Sequence, residues 1–168
     1  MTHHFKTPLI GEALVGEGPE VAHVDLVIGP KGSSVEHAFF TALASPAMGH
    51  TPLLAVLQPN LPTNPSTLMV NKVTIKKAQQ ALLVYGPCQA AVAKAVMDCV
   101  ADGFIPDDQA EDLLIIVSVF VEWDASDKTK VYENNYKATK FAIERAVMGK
   151  PTVREVLDKK DTAKHPFA

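Results

Sequence analysis

His23 and Asp25 are the pair in this sequence best suited to move a proton and hold a positive charge. They stand two residues apart in the stretch Glu20 to Ile28, where Ala22, Val24, Leu26 and Ile28 alternate with Val21, His23, Asp25 and Val27. Period 2 over this length predicts a strand with one fully apolar face. Both polar side chains then leave the opposite face, with Cα atoms roughly 6.5–7 Å apart. An imidazole gives or takes a proton near neutral pH, and a neighbouring carboxylate favours the charged ring. A proton donor beside a cation-stabilising group suits a reaction that expels water and leaves positive charge behind. A strand with an ordinary solvated outer face would carry the same two residues, so spacing alone leaves both readings open.

Lys72 and Thr74 repeat the arrangement in a second predicted strand, Thr67 to Ile75, where Leu68 and Val70 share their face. Among such neighbours the Lys72 ammonium must reach out to water or meet an acceptor. It could recognise a polar ligand ring or a carboxylate; an edge-strand lysine that discourages aggregation would look the same. Gln89 follows Gly86-Pro87 near a predicted helix start, and its amide can donate and accept at the edge of a heterocycle. A solvated glutamine is the alternative. Gly29-Pro30-Lys31-Gly32-Ser33 could hold an anion at a helix start, but it lacks a Walker pattern and reads as a turn with a cap. Gly16-Glu17-Gly18 precedes a strand and is no dinucleotide fingerprint. The six histidines show no His-x-x-x-His spacing, and no Gly-x-Ser-x-Gly elbow supports a serine hydrolase. No metal site is expected.

The elements that must position these residues follow from periodicity and caps. Ser33 with Glu36 three residues later predicts a capping box, opening a helix with Val35, Ala38, Phe39, Ala42 and Leu43 on one stripe until Pro46. Leu53 to Leu57 reads as a short strand, and the Pro-rich stretch Pro59 to Pro65 as a surface loop. Lys76 to Val84 reads as a helix stopped near Gly86-Pro87, with Pro87 in the first turn of a second helix. That second helix turns Val92, Ala95, Val96, Cys99 and Val100 inward and stops at Gly103. Leu113 to Trp123 is the most apolar strand and is expected at the sheet centre. Asp127 caps a long helix to Met148, with Val131, Thr139, Ala142, Ile143 and Ala146 buried and Gly149 at its end. The tail from Pro151 is polar, with room for one short helical turn. The expected fold class is α/β: a two-layer α+β sandwich with a mixed sheet covered by helices, in one domain over residues 1–168.

Composition narrows the function classes. Of 168 residues, 47% are hydrophobic and 21% charged, which excludes a disordered chain. Lys plus Arg total 16 against 19 Asp plus Glu, for a net charge of −3, which argues against a nucleic-acid partner. No apolar run approaches the roughly 18 residues that suggest a membrane span, and the N-terminus lacks the apolar core of a signal peptide. Two cysteines, Cys88 and Cys99, form neither a disulfide framework nor a zinc pattern. The expected location is the cytoplasm, with no membrane partner.

Longer motifs carry a family resemblance. Gly11-Glu12-Ala13-Leu14-Val15-Gly16 and Glu20-Val21-Ala22-His23-Val24-Asp25-Leu26 closely resemble the formaldehyde-activating enzymes, or tetrahydromethanopterin hydro-lyases. The likeness continues through Leu53-Leu54-Ala55-Val56, Pro59-Asn60-Leu61-Pro62, Thr67-Leu68-Met69 and Asn71-Lys72-Val73-Thr74-Ile75. It resumes at Gly86-Pro87 with Gln89, at Asn135-Tyr136, at Ala138-Thr139-Lys140 and at His165-Pro166-Phe167-Ala168, so it covers nearly the whole chain.

The resemblance implies a lyase that condenses formaldehyde with tetrahydromethanopterin to 5,10-methylene-tetrahydromethanopterin and water. Such a reaction belongs to one-carbon metabolism, methylotrophy and formaldehyde detoxification. It implies His23 as the catalytic proton donor and Asp25, Leu54, Lys72, Thr74 and Gln89 as substrate-binding residues. Tetrahydromethanopterin enters as co-substrate, and no metal or redox cofactor is implied. The family likeness further implies a fold similar to ribosomal protein S5 domain 2 and a homopentamer with sites between subunits. The alternative is a non-catalytic paralogue that binds pterin or formaldehyde as a sensor or carrier. Cys88 before Gln89, and Ala90-Ala91 after it, depart from the family pattern and bear on the pocket wall.

Overall fold

The alternation of residues 22–28 does form a strand, and that strand organises the sheet. The computed structural model describes residues 5–165. The adjacent His3 and His4 and the closing Pro166-Phe167-Ala168 lie outside the described residues. Strand β1 (Leu9–Val15) leads through a single 3-10 turn into β2 (Ala22–Pro30) and then α1 (Ser34–Ala44). Short strands β3 (Leu53–Leu54), β4 (Val56–Gln58) and β5 (Leu61–Pro62) precede β6 (Ser66–Asn71). Helices α2 (Ala78–Leu83) and α3 (Gln89–Ala101), strand β7 (Leu113–Val119), and helices α4 (Lys128–Met148) and α5 (Val153–Lys159) complete the order.

Five strands form one mixed sheet in the order β1-β2-β7-β6-β3. The β6–β7 pair is parallel, whereas β1–β2, β2–β7 and β3–β6 are antiparallel. The most apolar strand, β7, sits at the centre as its composition predicts. On one face, Ala22, Val24, Leu26 and Ile28 join Ile115, Val117 and Val119 under the long helix α4, which itself packs on α3. The opposite face is covered over only part of its area. There α1 lays Val35 and Phe39 on Leu68 and Leu114, with Val27, Val70 and Ile116 at the margin. The two-layer α/β arrangement is therefore present, with α1 as a partial cover on the second face.

Several boundaries differ from expectation, each for a local reason. The sequence of strand β1 does not show a strand pattern: Ile10 is 74% exposed, and Gly11 interrupts the alternation. The α1 stripe is narrower than predicted, because Ala38 and Leu43 are exposed. Residues 53–57 split between β3, which pairs with β6, and β4, which makes a small hairpin with β5 inside the predicted loop. Strand β6 stops at Asn71 instead of continuing to Ile75, because the Asn71 amide donates to the carbonyls of Gly49 and Val73 and turns the chain. Gly86-Pro87 does not break the helix. A π-helical segment, Val84–Cys88, carries the chain from α2 directly into α3 and accommodates the proline, which has no N–H to donate.

The capping box expected at α1 does not close, because Ser33 accepts from the Val35 N–H while the Glu36 carboxylate accepts from the Gly32 N–H. Strand β7 stops at Val119, short of Trp123, and β2 begins at Ala22, after a 3-10 turn over Gly18–Glu20. Other predicted ends hold. Asp127 accepts from the backbone N–H groups of Thr129 and Lys130, and Gly149 closes α4 in the left-handed region at φ 62°. Gly103 ends α3 at φ 78°. The short helix in the tail is α5, opened by a capping box between Thr152 and Glu155. No described helix is long and apolar enough to cross a membrane.

Candidate active site

The open half of the second sheet face gathers the charged groups. Cross-strand register puts Glu12 opposite Asp25, Asp25 opposite Ser118, and Ser118 beside Val70. The next row along the strands holds Leu14 opposite His23, with the Phe120 N–H donating to the His23 carbonyl. Lys72 enters from the far side of β7, where its N–H donates to the Val119 carbonyl. Two strand spacings, roughly 10 Å, separate the Lys72 and His23 backbones, a distance a lysine side chain can cross.

Lys72 uses that reach. Its Nζ lies 2.5 Å from Asp25 Oδ2 and 3.0 Å from His23 Nδ1. The alternative of an aggregation-blocking edge lysine does not fit, because Lys72 lies just past the end of β6 and its ammonium is turned across the sheet to Asp25 and His23. The Lys72 side chain is 17% exposed, against 37% for His23 and 50% for Asp25, so the ammonium is the innermost member of the group. His23 Nε2 stands 3.0 Å from Glu12 Oε1 and 3.6 Å from Asp25 Oδ1. Glu12 was not singled out from spacing, because only the β1–β2 register brings it here.

The entry of β2 is also fixed. The Glu20 carboxylate accepts from the Ser126 and Asp127 backbone N–H groups, which hold its pKa below the ordinary value, and Asn134 donates to the Glu20 carbonyl.

Glu12, His23 and Asp25 offer ligand atoms within 4.8 Å of one another, a spacing that could hold a metal ion. The Lys72 ammonium already supplies a cation to Asp25 and His23, so two carboxylates and one ammonium share the charge. Chemically, the group can donate or accept a proton at an imidazole and can stabilise positive charge at a carboxylate.

The remaining predicted residues lie elsewhere. Thr74 and Lys72 both lie in the loop after β6, not on the continuous strand expected from the sequence. His50 donates from Nδ1 to the Asn71 carbonyl, so in the neutral ring its Nε2 accepts from the Thr74 hydroxyl at 2.9 Å. Trp123 Nε1 donates to the Thr74 carbonyl. Leu54 is 37% exposed and pairs opposite Leu68 on β3, the sheet edge far from β1. Gln89 is only 7% exposed, and its Nε2 donates to the Val56 carbonyl at 2.8 Å, so it is neither solvated nor at an open helix start. Its unusual neighbours Cys88 and Ala91 are fully buried core residues. Within one chain, then, His23, Asp25 and Lys72 come together, Thr74 follows two residues along the loop, and Leu54 and Gln89 belong to the β3–β4 region.

Comparison with known proteins gives a consistent result. The family described as formaldehyde-activating enzyme (Fae) matches residues 10–168. The chain is 68% identical over 160 residues to a protein of Methanosarcina barkeri named 5,6,7,8-tetrahydromethanopterin hydro-lyase, covering 95% of this chain and 90% of that protein. It is 55% identical over 157 residues to the bifunctional enzyme Fae/Hps of Methanococcoides burtonii, covering 94% of this chain and 40% of that longer protein. A bifunctional enzyme Fae/Hps of Methanothrix thermoacetophila is 54% identical over 158 residues, with 94% and 40% covered.

Proposed function

The chain belongs to the formaldehyde-activating enzyme family, and on that premise we propose that it is a hydro-lyase condensing formaldehyde with tetrahydromethanopterin. The products are 5,10-methylene-tetrahydromethanopterin and water. The observation that carries this reading is the contact of His23, Asp25 and Lys72 on an uncovered sheet face.

The chemistry uses these groups in order. A pterin ring nitrogen attacks the carbonyl carbon of formaldehyde and gives a carbinolamine. His23, as its imidazolium, protonates the hydroxyl, which leaves as water. The iminium cation left behind is stabilised by the Asp25 carboxylate. The second ring nitrogen adds to the iminium carbon, closes the five-membered ring and returns a proton to His23. Atoms balance, because the two nitrogen-bound hydrogens leave with the formaldehyde oxygen. Condensation proceeds without a catalyst, so holding the two reactants together in the right orientation supplies much of the acceleration.

Leu54 provides apolar contact, while Lys72, Thr74 and Gln89 fix the pterin. Their separation from one another within a single chain is what supports a site completed between adjacent subunits, as in a homopentamer. Exposed Leu54, Leu57, Leu61, Leu82 and Tyr85 offer apolar surface for such contacts. One domain over residues 1–168, a cytoplasmic setting, a role in one-carbon metabolism and methylotrophy, and chemistry without a metal or redox cofactor belong to the same proposal.

The test is to mix the purified protein with formaldehyde and tetrahydromethanopterin and follow methylene-pterin against the uncatalysed rate. Acceleration proportional to protein concentration is expected. Pterin binding with no acceleration would instead identify a non-catalytic binder.

A further inference from the structure

We propose that Glu12 is a positioning residue for His23: it holds the imidazole hydrogen on Nε2 and so fixes the tautomer and orientation of the ring. The role in catalysis rests on the function proposed above; the tautomer does not. A carboxylate only accepts, so the 3.0 Å contact between Glu12 Oε1 and His23 Nε2 requires the hydrogen to be on Nε2. An ammonium only donates, so the 3.0 Å contact between Lys72 Nζ and His23 Nδ1 requires a lone pair on Nδ1. Two partners on opposite sides of the ring thus impose the same tautomer. A carboxylate that orients a histidine is a recurring device of acid–base sites; here the carboxylate is half exposed and comes from an edge strand.

Glu12 is itself held in place. Arg145 Nη1 donates to the Glu12 backbone carbonyl at 2.9 Å and lies 3.8 Å from Oε2. The two carboxylate oxygens therefore face different partners, Oε1 towards His23 and Oε2 towards Arg145. The preceding Gly11 presses β1 directly on α4: a Cβ there would lie 2.0 Å from the Ala142 carbonyl oxygen. The point at which residue 12 leaves the backbone is therefore set by helix packing, and the ring orientation follows from it.

The experiment combines nuclear magnetic resonance and kinetics on the full chain. With ¹⁵N-labelled histidine at about pH 8, where a free imidazole is neutral, wild-type His23 should carry its hydrogen on Nε2. That hydrogen should give a slowly exchanging signal, lost in Glu12→Ala. Glu12→Gln keeps an acceptor oxygen of the same size and should retain the signal. In the condensation assay, Glu12→Ala should lower kcat by about tenfold, less than the roughly hundredfold or more that loss of the acid itself costs. KM for the pterin should stay within about twofold, and Glu12→Gln should recover part of kcat. A proton on Nδ1 in the wild type, or an Nε2–H signal unchanged in Glu12→Ala, would overturn the proposal. So would a raised KM at constant kcat, which would make Glu12 a binding residue. If the wild type accelerates nothing, the proposed function fails and the resonance data alone decide the contact.

Discussion

Replacing Gly11 by Ala puts a methyl group in place of one hydrogen where β1 meets α4. The new Cβ would lie 2.0 Å from the Ala142 carbonyl oxygen, 2.8 Å from its carbonyl carbon and 3.1 Å from Ala146 Cβ. Ordinary carbon–oxygen contact is more than an ångström longer than the first of these, and the obstructing atoms are backbone. No rotamer change relieves the clash, so the 21-residue helix α4 must lift from the strands it covers. Overpacking typically costs about 1–3 kcal/mol, and a backbone obstacle puts this case near the upper end. For a chain of this size each kcal/mol shifts Tm by roughly 2–4 °C, so a loss of about 3 kcal/mol lowers Tm by roughly 6–12 °C. Thermal unfolding followed by circular dichroism, at one fixed protein concentration, reads this directly. Gly86→Ala is the control: beyond its chain neighbours and its own helix backbone nothing lies within 4 Å of the added Cβ, and it should be neutral or slightly stabilising. A Gly11→Ala melting temperature within about 2 °C of wild type would refute the packing argument.

Three further outcomes are expected. Lys72→Met keeps the side-chain stem but removes the cation between Asp25 and His23. Because Asp25 is half exposed, stability should fall by only about 1 kcal/mol, while condensation should fall by at least about tenfold; unchanged turnover would sink the role given to the ammonium. Burial pushes the Cys99 thiol up to about 12 and the Cys88 thiol higher still, and both are fully buried, so neither should react with a disulfide reagent in the native protein. Stoichiometric labelling before unfolding would contradict this. The Lys150 ammonium, with the Thr152 N–H and hydroxyl, lowers the Glu155 carboxyl from its ordinary 4.5 to about 2. A depressed carboxylate contributes its stabilisation above the ordinary value and loses it as pH falls through the lowered one, so the α5 cap should persist to about 2. A carboxyl ¹³C titration of Glu155 with its midpoint at 4.5 would show the cap to be absent.

Much of the scaffold was legible because it is encoded locally. The alternation of β2, the apolar run of β7, the Asp127 cap and the Gly103 and Gly149 stops each depend on residues close in sequence. What escaped depends on distant partners. Strand β1 exposes Ile10 and uses Gly11 for close approach to α4, so its own pattern does not announce a strand. The end of β6 is decided by the Asn71 side chain reaching Gly49, 22 residues away. The π-helical segment through Pro87 hides a continuous helix behind what reads as a stop. At the site, His23 and Asp25 were visible from period 2 alone. Lys72 was visible as a charge needing an acceptor, but the acceptor lies on a strand beyond β7. Glu12 gained meaning only from the antiparallel register that sets it opposite Asp25.

The central claim is that His23 supplies the proton that expels water during condensation. The most direct measurement compares wild type and His23→Ala in the formaldehyde and tetrahydromethanopterin assay, with circular dichroism to check the fold. His23 is partly exposed on a polar face, so truncation should leave the fold intact. The rate of His23→Ala is expected to fall by about a hundredfold or more towards the uncatalysed value. A natively folded His23→Ala that retains the wild-type rate would contradict it.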